Sequence, residues 1–179
     1  MDADIEKVLI DEEVILRRLD VMAERILEEL GNEEILVVGI LTGALVFMAD
    51  LLRRLPVPLQ IETLSVASYH GGTESSGVVK FLDAKLPEVE GRNILLCDDI
   101  LDTGRTLKAV RTKLMEMGAA RVKTAVLLSK DKDRAEDVEA DYYAFGMGDE
   151  FVVGYGLDYQ GRYRNLPYVG VLKEEVYSR

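Results

Sequence analysis

Three apolar runs constrain this chain more than any other feature: Ile35-Leu36-Val37-Val38-Gly39-Ile40, Asn93–Cys97 and Val122–Leu128. They are short, aliphatic and free of polar alternation, the pattern of strands buried on both faces. Helical spacing separates them. Residues 12–30 set Val14, Ile15, Leu19, Met22, Ile26, Leu27 and Leu30 at helical intervals and stop at Gly31-Asn32. A second helix is predicted from Ala44 to about Leu55, closed by Pro56, and a third from Gly104 to about Met117, ending at Gly118. Leu59–Ala67 is predicted to be a further strand, with short strands near Tyr142–Phe145, Phe151–Tyr155 and Tyr168–Val171. The alternation predicts an α/β fold, a central parallel sheet with helices on both faces. Ligands of such sheets bind beyond the carboxyl ends of the strands. With 179 residues and no repeat or linker, residues 1–179 read as a single domain whose terminal segments add a small accessory lobe.

Charge narrows the partners. The net charge of −11 and pI near 4.6 set the surface against a nucleic-acid backbone, so no nucleic acid partner is expected. The same charge repels a small polyanion. An anion site here therefore needs local compensation from a divalent metal, backbone amides at a helix start, or a few aimed Arg and Lys side chains. No apolar stretch approaches the ~20 residues that cross a bilayer, and MDADIEKVLIDEE lacks the basic-then-apolar order of a secretory signal. The lone Cys97 excludes an internal disulfide and, following Ile94-Leu95-Leu96, reads as a buried, inert thiol. A cytoplasmic enzyme or binding protein is expected.

The segment ILLCDDILDTGRT, residues 94–106, carries the chemistry. A strand delivers Asp98 and Asp99 to a loop expected over residues 98–103, Asp102 follows, and Thr103-Gly104-Arg105-Thr106 opens a helix. Adjacent carboxylates suit a hydrated hard cation or the vicinal hydroxyls of a ribose. The turn after them offers backbone N–H groups, two hydroxyls and a helix N-terminus, a cradle for phosphate. A solvated acidic loop with Asp102 as a mere helix cap is the plain alternative, but it leaves the turn unexplained. The DDxxD of an isoprenoid synthase would need its aspartates along a helix, whereas the residues before Asp98 are strand-like.

The segment resembles the phosphoribosyl pyrophosphate motif of type I phosphoribosyltransferases. GILTGALVFMADLL (39–52), SYHGGTESSGVVK (68–80), LLCDDILDTGRTL (95–107) and VVGYGLDYQGRYRNLPYVGVL (152–172) are similar, in order and spacing, to the motifs of the hypoxanthine-guanine phosphoribosyltransferase family. The resemblance runs from about residue 35 to 176, and its last motif is the one particular to 6-oxopurine members. It implies the type I phosphoribosyltransferase fold with an accessory hood, and a magnesium-dependent joining of hypoxanthine or guanine to phosphoribosyl pyrophosphate (PRPP).

Residue by residue, the resemblance implies a PRPP site of Leu41, Thr42, Gly43, Ser68, Tyr69, Asp98, Asp99, Asp102, Thr103, Gly104, Arg105, Thr106 and Arg164. Leu41-Thr42-Gly43 matches the pyrophosphate loop, which carries a non-proline cis peptide and binds through backbone amides. The family places Lys or Arg where this chain has Thr42, and Glu-Asp where it has Asp98-Asp99. A modest effect on diphosphate affinity without loss of function, and a water-mediated contact at 98 with the charge retained, are the expected consequences. Magnesium is expected at Asp98, Asp99 and Asp158. Asp102 is expected to act as general base toward the purine ring nitrogen opposite the forming bond, contributing about 10²–10⁴-fold in rate. Lys130 matches the donor to the purine O6, Phe151 the ring that stacks on the base, and Val152 and Asp158 the positions whose backbone meets its edge. Residues 69–77 are expected to form a closing lid, with His70 a solvated loop residue. A xanthine- or guanine-preferring enzyme is the alternative within the fold. An RNA-binding regulator, as in the pyrimidine attenuation proteins, is a second alternative; it needs a basic face, which this composition disfavours. A homodimer or homotetramer is expected, and the apolar content of residues 44–55 suits either a contact face or the core.

Overall fold

The computed structural model describes residues 1–68, 79–131 and 135–178. The three apolar runs become β2 (Ile35–Leu41), β5 (Asn93–Leu101) and β6 (Arg121–Lys130), once β1 (Ile5–Ile10), β3 (Leu59–Ser68) and β4 (Val79–Phe81) are counted in chain order. With β7 (Tyr142–Met147) they form a six-stranded sheet in the order β4-β3-β2-β5-β6-β7. All neighbours run parallel except β4, which returns antiparallel along the end of β3. Side chains alternate across the sheet. Ile35, Val37, Leu95, Cys97, Ala125 and Leu127 pack on one face, and Leu36, Val38, Ile94, Leu96 and Val126 on the other.

Helix α1 (Glu12–Leu30) covers the first face with Ile15, Leu19, Met22, Ala23, Ile26 and Leu30, the inward side of its helical period. Burying each large apolar side chain contributes about 1.5–3 kcal/mol. Gly31 ends α1 with φ 64°, its N–H donating to the Leu27 carbonyl. Helix α2 (Ala44–Leu52) packs beside it through Ala44, Phe47, Met48 and Leu51. It stops three residues before the Leu55 expected from the sequence: Pro56 disfavours helical geometry at Leu55, and the chain tightens into i→i+3 bonds at Arg54 and Leu55. Helix α3 (Arg105–Glu116) covers the opposite face with Leu107, Val110 and Leu114. Cys97 is fully buried, as expected, and burial pushes its thiol pKa up.

β5 continues through Asp98 and Asp99 to Leu101, four residues beyond the strand predicted from sequence. Ile100 and Leu101 pair with Leu128 and Ser129 of β6, so the acidic pair lies within the ladder rather than in a loop. β1 and β4 were also not foreseen. The charges of β1 conceal a half-exposed strand, and β4 is only three residues long.

β1 pairs antiparallel with β9 (Val169–Leu172), and β9 with β8 (Val152–Val153), making a second sheet from the two ends of the chain. The short helix α4 (Glu174–Tyr177) follows β9.

Candidate active site

A cavity of about 350 Å³ opens where β2 and β5 end. Leu41, Thr42, Gly43, Asp98, Asp99, Asp102, Thr103, Gly104, Arg105, Thr106, Asp158 and Arg164 all line it, together with Ile40, Val66, Val79, Ile100, Leu101 and Leu107. Twelve sequence-predicted residues thus share one space. The apolar wall of Val66 and Val79 was missed, since it depends on β4 folding back on β3.

Strand geometry fixes the acidic pair. Asp98 is only 8% exposed, and its Oδ1 accepts the Asp99 N–H at 3.0 Å. Asp99 Oδ1 accepts the Ile100 N–H at 2.8 Å. Burial, then the charge of Asp99, hold the Asp98 carboxyl well above the usual carboxylate range. Burial also raises Asp99, while the Ile100 amide and the charge of Arg164 pull the other way. The site thus holds two carboxylates that favour any cation brought to them.

The turn after β2 is shaped around Asp99. The Leu41-Thr42 peptide bond is cis, as the resemblance implies. A Cβ on Gly43 would lie 1.8 Å from Asp99 Oδ2, so only glycine lets the carboxylate reach this turn. From the other side comes Gly156, with φ 102°; a Cβ there would meet the Gly43 carbonyl at 2.2 Å. Arg164 spans the same neighbourhood, donating to the Gly156 carbonyl at 2.6 Å and pairing with Asp158 at 2.7 Å. The Tyr155 hydroxyl donates to Asp50 of α2, which ties residues 154–158 to the helix that starts at Gly43.

The start of α3 is the positive counterpart. Gly104 adopts φ 79°, and the first intrahelical bond is Lys108 N–H to the Gly104 carbonyl at 3.0 Å. The Arg105 N–H, ahead of that bond, is turned toward the Thr103 hydroxyl at 3.5 Å, so the helix opens on backbone donors. No acidic residue occupies the first turn of α3 despite the acidity of the chain, which leaves the helix dipole open to an anion.

Lys130, Phe151 and Val152 do not line the cavity. Leu101 pairs with Ser129, so Lys130 ends β6 alongside Asp102. Its ammonium lies 3.2 Å from Asp149 Oδ1, two residues before Phe151. Val152 is buried in β8, while Phe151 is 39% exposed. Among the described residues, no three His, Cys, Asp or Glu side chains converge on a metal position. Of the expected set, Asp98 and Asp99 are neighbours on β5 and Asp158 lines the same cavity. Both Asp158 oxygens are engaged, one by Arg164 and one by the Gly161 N–H at 2.7 Å. The donor chemistry still fits magnesium, a hard cation that usually takes one or two carboxylates and completes its shell with phosphate and water. Ser68 ends β3; its side chain, Tyr69, His70 and the lid expected over residues 69–77 lie outside the described residues.

Comparison with known proteins agrees with this geometry. The family model of the phosphoribosyl transferase domain matches residues 9–160. A hypoxanthine-guanine phosphoribosyltransferase from Streptococcus pyogenes serotype M3 is 44% identical over 179 residues, covering 100% of this chain and 99% of the relative. One from Streptococcus pneumoniae serotype 4 is 44% identical over 178 residues, 99% of each. Among solved structures, a hypoxanthine phosphoribosyltransferase from Staphylococcus aureus superposes with a TM-score of 0.94 at 41% identity, covering 100% of this chain and 97% of that one. A variant of the Trypanosoma cruzi enzyme complexed with the product IMP gives 0.90 at 35%, covering 98% and 94%.

Proposed function

This chain belongs to the phosphoribosyl transferase family, and on that premise we propose that residues 98–106 clasp PRPP while Lys130, Phe151, Val152 and Asp158 hold the purine. The enzyme serves purine salvage: it transfers the phosphoribosyl group of PRPP to hypoxanthine or guanine, releasing pyrophosphate and giving IMP or GMP. The observation that carries the site assignment is the single cavity in which the buried Asp98 and the half-buried Asp99 face an acid-free helix start and Arg164.

The 5-phosphate takes the N–H groups that open α3, with the hydroxyls of Thr103 and Thr106 beside them. The ribose hydroxyls meet Asp98 and Asp99. The diphosphate lies along the backbone of Leu41-Thr42-Gly43, with Arg164 facing it. As purine N9 bonds to C1 of the ribose, the C1–O bond to pyrophosphate breaks and its electron pair leaves with the diphosphate. The proton on N7 passes to Asp102. Lys130 donates to the purine O6, Phe151 stacks on the ring, and the backbone of Val152 and Asp158 meets its edge. Magnesium, when bound, neutralises charge on the leaving pyrophosphate, and Asp98, Asp99 and Asp158 are the residues that would hold it.

The same reading takes residues 1–179 as one domain with the β1-β9-β8 sheet as its hood, Ser68 and Tyr69 as a cover for the diphosphate, and the cytoplasm as its location. Among the described residues no helix is long and apolar enough to cross a membrane. A homodimer or homotetramer is part of the proposal, supported by the exposed Leu45 on α2. The test is a spectrophotometric assay with PRPP and hypoxanthine, guanine or xanthine, with and without magnesium. Magnesium-dependent formation of IMP and GMP is expected; turnover confined to xanthine and guanine would shift the assignment to the alternative specificity, and metal-independent turnover would remove the cation.

A further inference from the structure

Phe151 and Tyr177 are large rings outside the three apolar clusters, 39% and 36% exposed, yet they stack on each other with centroids 4.8 Å apart and planes 24° apart. Tyr159 meets Phe151 edge-on at 5.7 Å and 86°. The chain arranges this contact deliberately over a long path. The Leu172 N–H at the end of β9 donates to the Phe151 carbonyl, which fixes the backbone beneath the ring. Lys173 then anchors to the amino terminus, its N–H on the Asp4 carbonyl and its ammonium on the Ala3 carbonyl. One helical turn later Val176 packs against the cluster of Val153, Tyr163, Leu166 and Leu172, and the next side chain, Tyr177, lies on Phe151.

A flat ring has two faces. Tyr177 covers one of them in a stack, and Tyr159 meets Phe151 with the ring planes at 86°. We propose that Tyr177 is a positioning residue for base binding: it backs Phe151 so that the opposite face is presented, already oriented, to the purine. This rests on Phe151 being the purine-stacking ring. A ring otherwise free to change rotamer at the surface must be ordered when the base arrives, and a fixed ring removes that entropic cost. Because the contact touches only the base side, it acts on the base KM and leaves the PRPP KM alone.

The experiment compares steady-state kinetics of the full chain with Tyr177→Ala and Tyr177→Phe, varying hypoxanthine at saturating PRPP and then the reverse. The expected result for Tyr177→Ala is a rise of about two- to tenfold in the hypoxanthine KM, the span of one aromatic stack, with the PRPP KM and kcat changed less than about twofold. Tyr177→Phe keeps the stacked ring and restores the wild-type KM. An unchanged KM in Tyr177→Ala overturns the proposal, as does an equal rise in both KM values, which would mark a general structural role. A lower hypoxanthine KM overturns it too, because Tyr177 would then be occupying the place of the base. Absence of any turnover by the wild-type chain would instead defeat the functional reading itself, so the two failures are distinguishable.

Discussion

The two ends of the central sheet treat carboxylates in opposite ways. At the amino ends of β6 and β7, Asp141 accepts from the Thr124 N–H at 2.8 Å, the Thr124 hydroxyl at 2.9 Å and the Lys123 ammonium at 3.2 Å. Burial works against its charge, but these donors outweigh it and the Asp141 pKa falls below the usual value. Glu29 is likewise lowered, first by Lys123 and then by the Tyr142 hydroxyl. At the carboxyl ends, Asp98 and Asp99 sit side by side with chiefly backbone donors, and both are raised by burial. One end spends its polar groups on holding elements together. The other keeps two carboxylates short of partners, an arrangement that costs stability and awaits substrate.

The sharpest break of this contrast is Asp102→Asn. It removes a proton acceptor from the site end and is expected to lower kcat about 10²–10⁴-fold. The thermal midpoint should stay put, and a variant as active as the wild type would end the role of Asp102. Next comes Gly43→Ala, whose Cβ would collide with Asp99 and push the carboxylate aside. A displacement of about 1 Å at such a centre costs on the order of 10²-fold, read here as kcat/KM for PRPP.

At the opposite end, Asp141→Ala strands the buried Thr124 and leaves Lys123 with Glu29 alone, while the chemistry is untouched. A loss of about 2–4 kcal/mol in denaturant unfolding is expected, with KM values unchanged. The sign with pH follows from the lowered pKa. The stabilisation is complete above the unfolded value of about 3.9 and disappears as pH falls through the folded one, so wild type and variant converge in acid. Asp98→Asn should do the reverse and raise the thermal midpoint of the metal-free protein by about 2–4 °C at pH 7, because a buried like-charge contact is relieved. A carboxyl with a raised folded pKa destabilises the fold only above its unfolded pKa. The gain therefore vanishes near pH 3, while the PRPP KM worsens at neutral pH. The smallest effect belongs to Thr42→Ala: the side chain is exposed and the proposed contact is through the backbone of the turn, so the PRPP KM should move less than about threefold.

Much of this was readable along the chain. The three buried runs, the period of α1 and the DDILDTGRT segment depend on local pattern, and local pattern survives folding. The overrun of β5 was not readable. Two aspartates have poor strand propensity, and only pairing of Ile100 and Leu101 with β6 keeps them extended. The tyrosine behind Phe151 was equally hidden, since 26 residues separate the two and nothing in either neighbourhood marks the contact.

The sequence by itself determined the layered α/β class, the order of the motifs and the chemical groups available to a sugar diphosphate, because strand and helix periods and residue types are properties of short segments. Tertiary structure decided which groups meet: Asp99 against Gly43, Gly156 against the same turn, Arg164 across from both, and Tyr177 on Phe151. Those contacts join segments distant in the chain. They form only when the sheet's register and the closure of the second sheet over it fix distances that local pattern leaves open.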